Sequence, residues 1–252
     1  MIQVTDLTFA YGAHPVLRGI NMEVRGGEIG AVMGKNGSGK TTLFKNLLGI
    51  CRPQSGEVLF EGTDVTKISA RERAKMMAYV PQEIRFGALS VYDSVLMGRV
   101  ARFGMHAGKT DRDAVEKLLC EMKLEHKAFA SVDELSGGER RKVAVARALA
   151  QEPRLLIFDE PTGNLDLANE ILVINEAKAL ALERGICVLC SLHDLNQALA
   201  LADRFFFMKD GIVKYQGTAE LFTQELISDV YDVNVRIIEH EGEKIILGEK
   251  TV

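Results

Sequence analysis

Apolar and polar residues alternate at three places near the start of the chain: Ile2-Gln3-Val4-Thr5, Ile20-Asn21-Met22-Glu23-Val24 and Glu57-Val58-Leu59-Phe60-Glu61-Gly62. A strand turns successive side chains to opposite faces, so this alternation predicts half-buried antiparallel strands. Gly26-Gly27 and Glu61-Gly62 supply turn signals. Elsewhere the pattern changes. Ile29-Gly30-Ala31-Val32-Met33, Leu155-Leu156-Ile157-Phe158, Ile186-Cys187-Val188-Leu189 and Phe205-Phe206-Phe207-Met208 are unbroken apolar runs. Such runs fit strands covered on both faces, as in a parallel sheet. Helical periodicity at 42–48, 167–184 and 194–202 alternates with them, which is α/β organisation.

Between 87 and 151 strand signals stop, and helical patterns run at 92–100, 111–122 and 138–151. The expected arrangement is a single domain over residues 1–252. Its α/β core and antiparallel β subdomain come from 1–86 and 152–252, and an α-helical subdomain is inserted at 87–151. A further helix is expected at 220–231. Val235-Arg236-Ile237-Ile238 and Lys244-Ile245-Ile246-Leu247, on either side of His240-Glu241-Gly242-Glu243, predict a C-terminal hairpin.

Composition narrows the class. Hydrophobic residues make up 47% of 252 positions, enough for a sizeable core, and the net charge of −4 argues against a nucleic-acid partner. No apolar run reaches the ~18 residues of a spanning helix. The first residues lack the basic and apolar regions of a signal peptide, so a soluble, cytoplasmic chain is expected. Cys187 and Cys190 have C-x-x-C spacing, but they fall on a predicted strand, where residues three apart face opposite ways. They read as small core residues.

The chemistry begins at Gly34-Lys35-Asn36-Gly37-Ser38-Gly39-Lys40-Thr41, a complete G-x-x-x-x-G-K-[ST] between a predicted strand and a predicted helix. Glycines let the backbone close round an anion, successive N–H groups form a nest, and the helix N-terminus adds its positive end. Lys40 suits β- and γ-phosphates, and the Thr41 hydroxyl suits Mg²⁺. Leu155-Leu156-Ile157-Phe158-Asp159-Glu160 is an apolar strand that ends in two carboxylates. Asp159 falls where such an enzyme organises Mg²⁺, and Glu160 where an attacking water is polarised. Leu135-Ser136-Gly137-Gly138-Glu139 opens a helix with a capping-box pattern. Its two glycines suit a close approach to phosphate better than they suit a helix.

In order and content these segments resemble the nucleotide-binding subunit of an ATP-binding cassette (ABC) transporter. The likeness covers nearly the whole chain. It implies a P-loop NTPase core of the ABC ATPase type with an antiparallel β subdomain and an inserted α-helical subdomain. By that resemblance Tyr11 stacks on adenine, and Gly34, Asn36, Gly37, Ser38, Gly39, Lys40, Thr41 and Thr42 hold the nucleotide. Thr41, Gln82 and Asp159 serve Mg²⁺, Glu160 is the general base, and Gln82 and His193 complete the catalytic set. Ser136, Gly137, Gly138 and Glu139 form the signature, offered to ATP on the opposite subunit, and Asp166 belongs to the D-loop. ATP and Mg²⁺ are the implied cofactors. The implied partners are a second copy of the chain in an ATP sandwich, integral membrane permease subunits and, indirectly, a substrate-binding protein. The implied location is the cytoplasmic face of the cell membrane, reached through the permease. Glu139 stands where the signature usually has glutamine, and the basic run Arg140-Arg141-Lys142 follows it. This variant is similar to importers of iron–siderophore, haem and cobalamin, and it leaves the role of position 139 open. A GTPase reading fails for want of N-K-x-D, and a chromosome-type ATPase for want of room for a coiled coil. An exporter subunit, or one from another importer class, remains the alternative.

Overall fold

The computed structural model describes residues 1–82, 86–160, 175, 177–179 and 181–248. Two compact units emerge, Met1–Lys67 with Ile174–Val252, and Ile68–Val173.

The first unit opens with β1 (Ile2–Tyr11) and β2 (His14–Val24), which pair antiparallel, and then β3 (Ile29–Met33). The predicted alternation is present: Ile2, Val4, Leu7 and Phe9 of β1 are buried while the residues between them are more exposed. Helix α1 (Lys40–Leu47) follows β3, and β4 (Ser55–Phe60) and β5 (Thr63–Asp64) complete a sheet of order β2-β1-β4-β5. A bulge at Asp6, whose φ is 48°, brings β1 very close to β4. A Cβ at Gly56 would lie 2.3 Å from the Asp6 carbonyl oxygen, so only glycine fits there.

The second unit contains α2 (Ala70–Met76), β6 (Met77–Val80), α3 (Val91–Leu96), α4 (Lys109–Glu121), α5 (Gly137–Leu149) and β7 (Leu155–Asp159). β6 and β7 pair in parallel, with Tyr79 opposite Ile157. Helix α2 was not foreseen from the sequence. It buries no residue and so has no apolar stripe, but Ser69 and Glu72 form a complete capping box. The helix expected at 92–100 stops early and tightens to a 3₁₀ turn, Met97–Arg99. Gly98 there lies so close to α5 that a Cβ would sit 2.1 Å from the Arg147 carbonyl oxygen. Buried Arg99 ties the turn down, donating to Asp111 and Glu152 at 2.8 Å each and to the Ala150 carbonyl at 3.1 Å.

The chain then returns to the first unit. It adds β8 (Cys187–Ser191), α6 (Leu195–Leu201), β9 (Arg204–Lys209), β10 (Ile212–Gly217), α7 (Gln224–Tyr231) and a hairpin of β11 (Val235–His240) and β12 (Glu243–Gly248). β3 lies between β8 and β9, parallel to both, and every residue of β3 and β8 is buried. Cys187 and Cys190 are free and buried in β8. Burial pushes the thiol of each up to about 12, which leaves neither reactive. The helix expected at 220–231 is broken. A 3₁₀ turn, Ala219–Leu221, precedes Phe222, whose ring packs edge-on against Phe205 and Phe207 at 4.7 and 5.2 Å. α7 restarts after the Thr223 cap. The pattern at 167–184 lies mainly outside the described residues, although 177–179 and 181–184 are helical.

Candidate functional site

β3 feeds straight into the glycine loop. Gly34, Gly37 and Gly39 have φ of 142°, 81° and 105°, a region that side chains rarely occupy. Gly34 is the tightest: a Cβ there would lie 2.2 Å from the Met208 carbonyl oxygen at the end of β9. Gly39 caps α1 without a side-chain hydrogen bond, and the first turn holds no acidic residue, so the donors of that N-terminus are kept for an anion. The Ser38 hydroxyl is buried and has no hydrogen-bond partner among the described residues. A donor-rich cradle with an orphaned hydroxyl fits phosphate oxygens. Lys40 is buried and donates to the Gly34 and Lys35 carbonyls at 2.8 and 3.2 Å, which closes the loop on its own ammonium group. Thr41 is exposed at the start of α1, Asn36 is exposed in the loop, and the Thr42 carbonyl accepts from Asn46 at 2.8 Å.

Gly34→Ala follows from this geometry. Strained backbone and a collision with Met208 should together cost ~1–3 kcal/mol of stability and weaken nucleotide binding at least about tenfold. Urea melts paired with nucleotide titrations measure both. Wild-type values in the two assays would show that the loop relaxes freely.

Tyr11 closes β1, is 47% exposed, and meets Phe9 edge-on at 4.8 Å. An exposed ring held from behind suits stacking against a flat base. His193 is exposed two residues beyond β8. Parallel β3 and β8 point the same way, so the glycine loop and His193 leave from the same edge of the sheet.

A clasp on the loop joins residues that no local sequence pattern pairs. The Gly34 N–H donates to the Tyr231 hydroxyl at 3.0 Å, and Lys35 pairs with Asp232. Burial pushes the Tyr231 phenol up to about 12, so it stays neutral. Next to it Asp229 accepts from Lys214, Tyr215 and Lys209, which hold its carboxyl down at about 2.

The second unit groups the remaining candidates. Gln82 donates its amide to the Glu160 carboxylate. Glu160 has φ of 52°, unusual for a residue with a side chain, and so turns its carboxylate away from the line of β7. Asp159, one residue earlier, is buried and accepts from the Tyr79 hydroxyl at 3.0 Å. Burial and the Asp159 charge push the Tyr79 phenol upward, which keeps it a donor. Arg141 donates to the carbonyls of Pro81 and Glu160 at 3.2 and 3.4 Å, so one guanidinium on α5 holds the backbone beside both catalytic candidates. Its pKa falls to about 10 through burial. Neither Tyr79 nor Arg141 belongs to a motif that gives it a role. Their signals were a tyrosine one strand away from Asp159 and a cation in the turn after the signature.

Ser136 is the N-cap of α5. Its hydroxyl accepts from the Glu139 N–H at 3.3 Å, and Glu139 accepts from the Ser136 N–H at 3.0 Å, so the expected capping box is complete. Gly137 and Gly138 form the first turn and place no side chain over it. Asp166 lies outside the described residues.

The family model described as "ABC transporter" matches residues 17–163. An ABC transporter ATP-binding protein of Methanocaldococcus jannaschii, itself uncharacterized, is 36% identical across 98% of this chain and 97% of its own length. The hemin import ATP-binding protein of Myxococcus xanthus is 36% identical across 96% of this chain and 93% of its own. A solved structure of a metal-chelate type ABC transporter, in an inward-facing conformation, superposes with a TM-score of 0.84 at 29% identity, covering 98% of this chain and 95% of the other. Likeness of this extent, on a chain that carries a complete phosphate loop, settles the family: this protein belongs to the ABC transporters, as one of their ATP-hydrolysing subunits.

Proposed function

We propose that this chain powers the uptake of a metal-chelate cargo, of the iron–siderophore, haem or cobalamin class, through an integral membrane permease. The observation that carries the catalytic part is the Gln82–Glu160 hydrogen bond at the end of β7, next to Asp159. It sets a carboxylate able to accept a proton beside one suited to a cation. The cargo class is supported by the printed names of the hemin import relative and the metal-chelate structure. No described helix is long and apolar enough to cross a membrane. In this reading the permease supplies the path for cargo, and a substrate-binding protein delivers to it.

Lys40, the amides of Gly37 and Gly39 and the Ser38 hydroxyl hold phosphate charge in the loop that Gly34 opens, with Asn36 and Thr42 alongside, and Tyr11 stacks on adenine. Thr41, Gln82 and Asp159 offer the hard oxygen donors that Mg²⁺ takes. Among the described residues no cluster of three His, Cys, Asp or Glu could cage a metal. A Mg²⁺ ion bound there together with substrate phosphates would neutralise charge on their oxygens. Glu160 takes the proton of the attacking water, and His193 contacts the γ-phosphate. The open side of that phosphate needs donors, and the α5 N-terminus of a second copy supplies them through Ser136, Gly137 and Gly138. Asp166 organises the opposite site. The complex therefore holds two copies of this chain at the cytoplasmic face of the membrane.

The test is purification with the permease in lipid and a screen of ATPase stimulation. Chelated iron, haem or a corrinoid should raise turnover. Stimulation by lipid or drug-like compounds, with none by chelates, would favour an exporter.

A further inference from the structure

The carboxylate of Glu139 is an odd group to find at a helix N-terminus that must receive a γ-phosphate, because anion repels anion. The three cations that follow it in sequence do not neutralise it. Arg140 donates to the Leu135 carbonyl at 3.0 Å, Arg141 to those of Pro81 and Glu160, and Lys142 to that of Met122 at 3.5 Å. Lys127, from the 3₁₀ turn Glu125–Lys127, reaches Glu139 Oε1 at 2.5 Å. The other oxygen, Oε2, accepts from the Ser136 N–H and from its hydroxyl, each at 3.0 Å. Both oxygens are thus turned back onto the protein.

We propose that Lys127 is a positioning residue for ATP-driven dimerisation: it holds Glu139 folded over the start of α5 and balances its charge, so that the signature offers donors and no unbalanced anion to ATP on a second copy. The inference rests on the sandwich reading given above. Lys127 and Glu139 together carry no net charge, which makes the pair an electrostatic equivalent of the glutamine usual at this position. Lys127 has a second effect. An ionised Glu139 competes with phosphate for the Ser136 hydroxyl, and a cation on Oε1 weakens that competition. Lys127 and Glu139 side chains are 36% and 26% exposed, so solvent screens the pair only in part. The Lys127 hydrogen bond, with that of the Ser136 N–H, holds the Glu139 carboxyl at about 2, so the acid stays charged throughout the working range.

The experiment uses Glu160→Gln as the parent, so that hydrolysis does not dissolve the dimer, and reads ATP-dependent dimerisation by sedimentation. Adding Lys127→Gln should weaken association by about tenfold per site, and about a hundredfold for a dimer with two sites. Lys127→Arg, which keeps the charge, should match the parent. Glu139→Gln should restore the parent affinity in the Lys127→Gln chain, which a purely structural role for Lys127 would not allow. ATP binding to monomers should be the same in all. The proposal is overturned if Lys127→Gln dimerises like the parent, or if Glu139→Gln fails to restore it. A parent that stays monomeric with its site filled by ATP would instead refute the sandwich itself, and the inference with it.

Discussion

Glu160→Gln should abolish turnover while leaving ATP binding intact. Glutamine has the shape of glutamate but cannot accept a proton at neutral pH, so hydrolysis should fall ~10²–10⁴-fold, the usual span for losing a general base. The surroundings should not collapse. The Gln82 amide can still donate to the oxygen that remains, and Arg141 grips the Glu160 carbonyl, which the substitution does not touch. The left-handed backbone at φ 52° is equally tolerable for either residue. With ATP no longer consumed, the dimer should accumulate, while wild type should associate only transiently. Size-exclusion chromatography with light scattering, with ATP in the presence and absence of Mg²⁺, reads this directly. Wild-type turnover in the variant would remove Glu160 from catalysis. Persistent monomers at saturating ATP would count against the sandwich.

Lys40→Ala should be as severe for a different reason. Loss of a cation facing a polyanion should cost on the order of tenfold to a hundredfold in ATP affinity, and at least about 10²-fold in turnover. The change also frees the Gly34 and Lys35 carbonyls that Lys40 now binds. Part of the binding loss should therefore come from a loosened loop. A thermal melt without nucleotide separates the two, since the charge term appears only when ATP is present. Normal turnover in this variant would overturn the phosphate-loop assignment.

Much of this was legible in the sequence because it depends on local pattern. The strands β3, β7 and β8 are buried along their whole length, as their unbroken apolar runs predicted. The glycine loop and the signature cap were readable because each packs its chemistry into a few consecutive positions. The rest depends on pairs far apart in the chain. Lys127 meets Glu139, Tyr79 meets Asp159, and Tyr231 meets Gly34 through tertiary placement that no local periodicity encodes. The same holds for the broken helix at 220–231, where the pull of Phe205 and Phe207 on Phe222 overrides helical propensity. Helix α2 is the opposite case: its Ser69-x-x-Glu72 signal is local, but the helix carries no apolar stripe to mark it.

The clasp of Tyr231 and Asp232 on the glycine loop also bears on how the protein is born. Both contacts join residues 197 positions apart, and β3 needs β8 and β9 on its two sides before it is covered. On the ribosome, the loop leaves the exit tunnel early and then waits for its neighbours. The nascent chain cannot complete this clasp until Asp232 has emerged. Strand β3, meanwhile, stays uncovered until residues 187–209 have followed it, which is the interval when a chaperone or a misplaced strand can reach it.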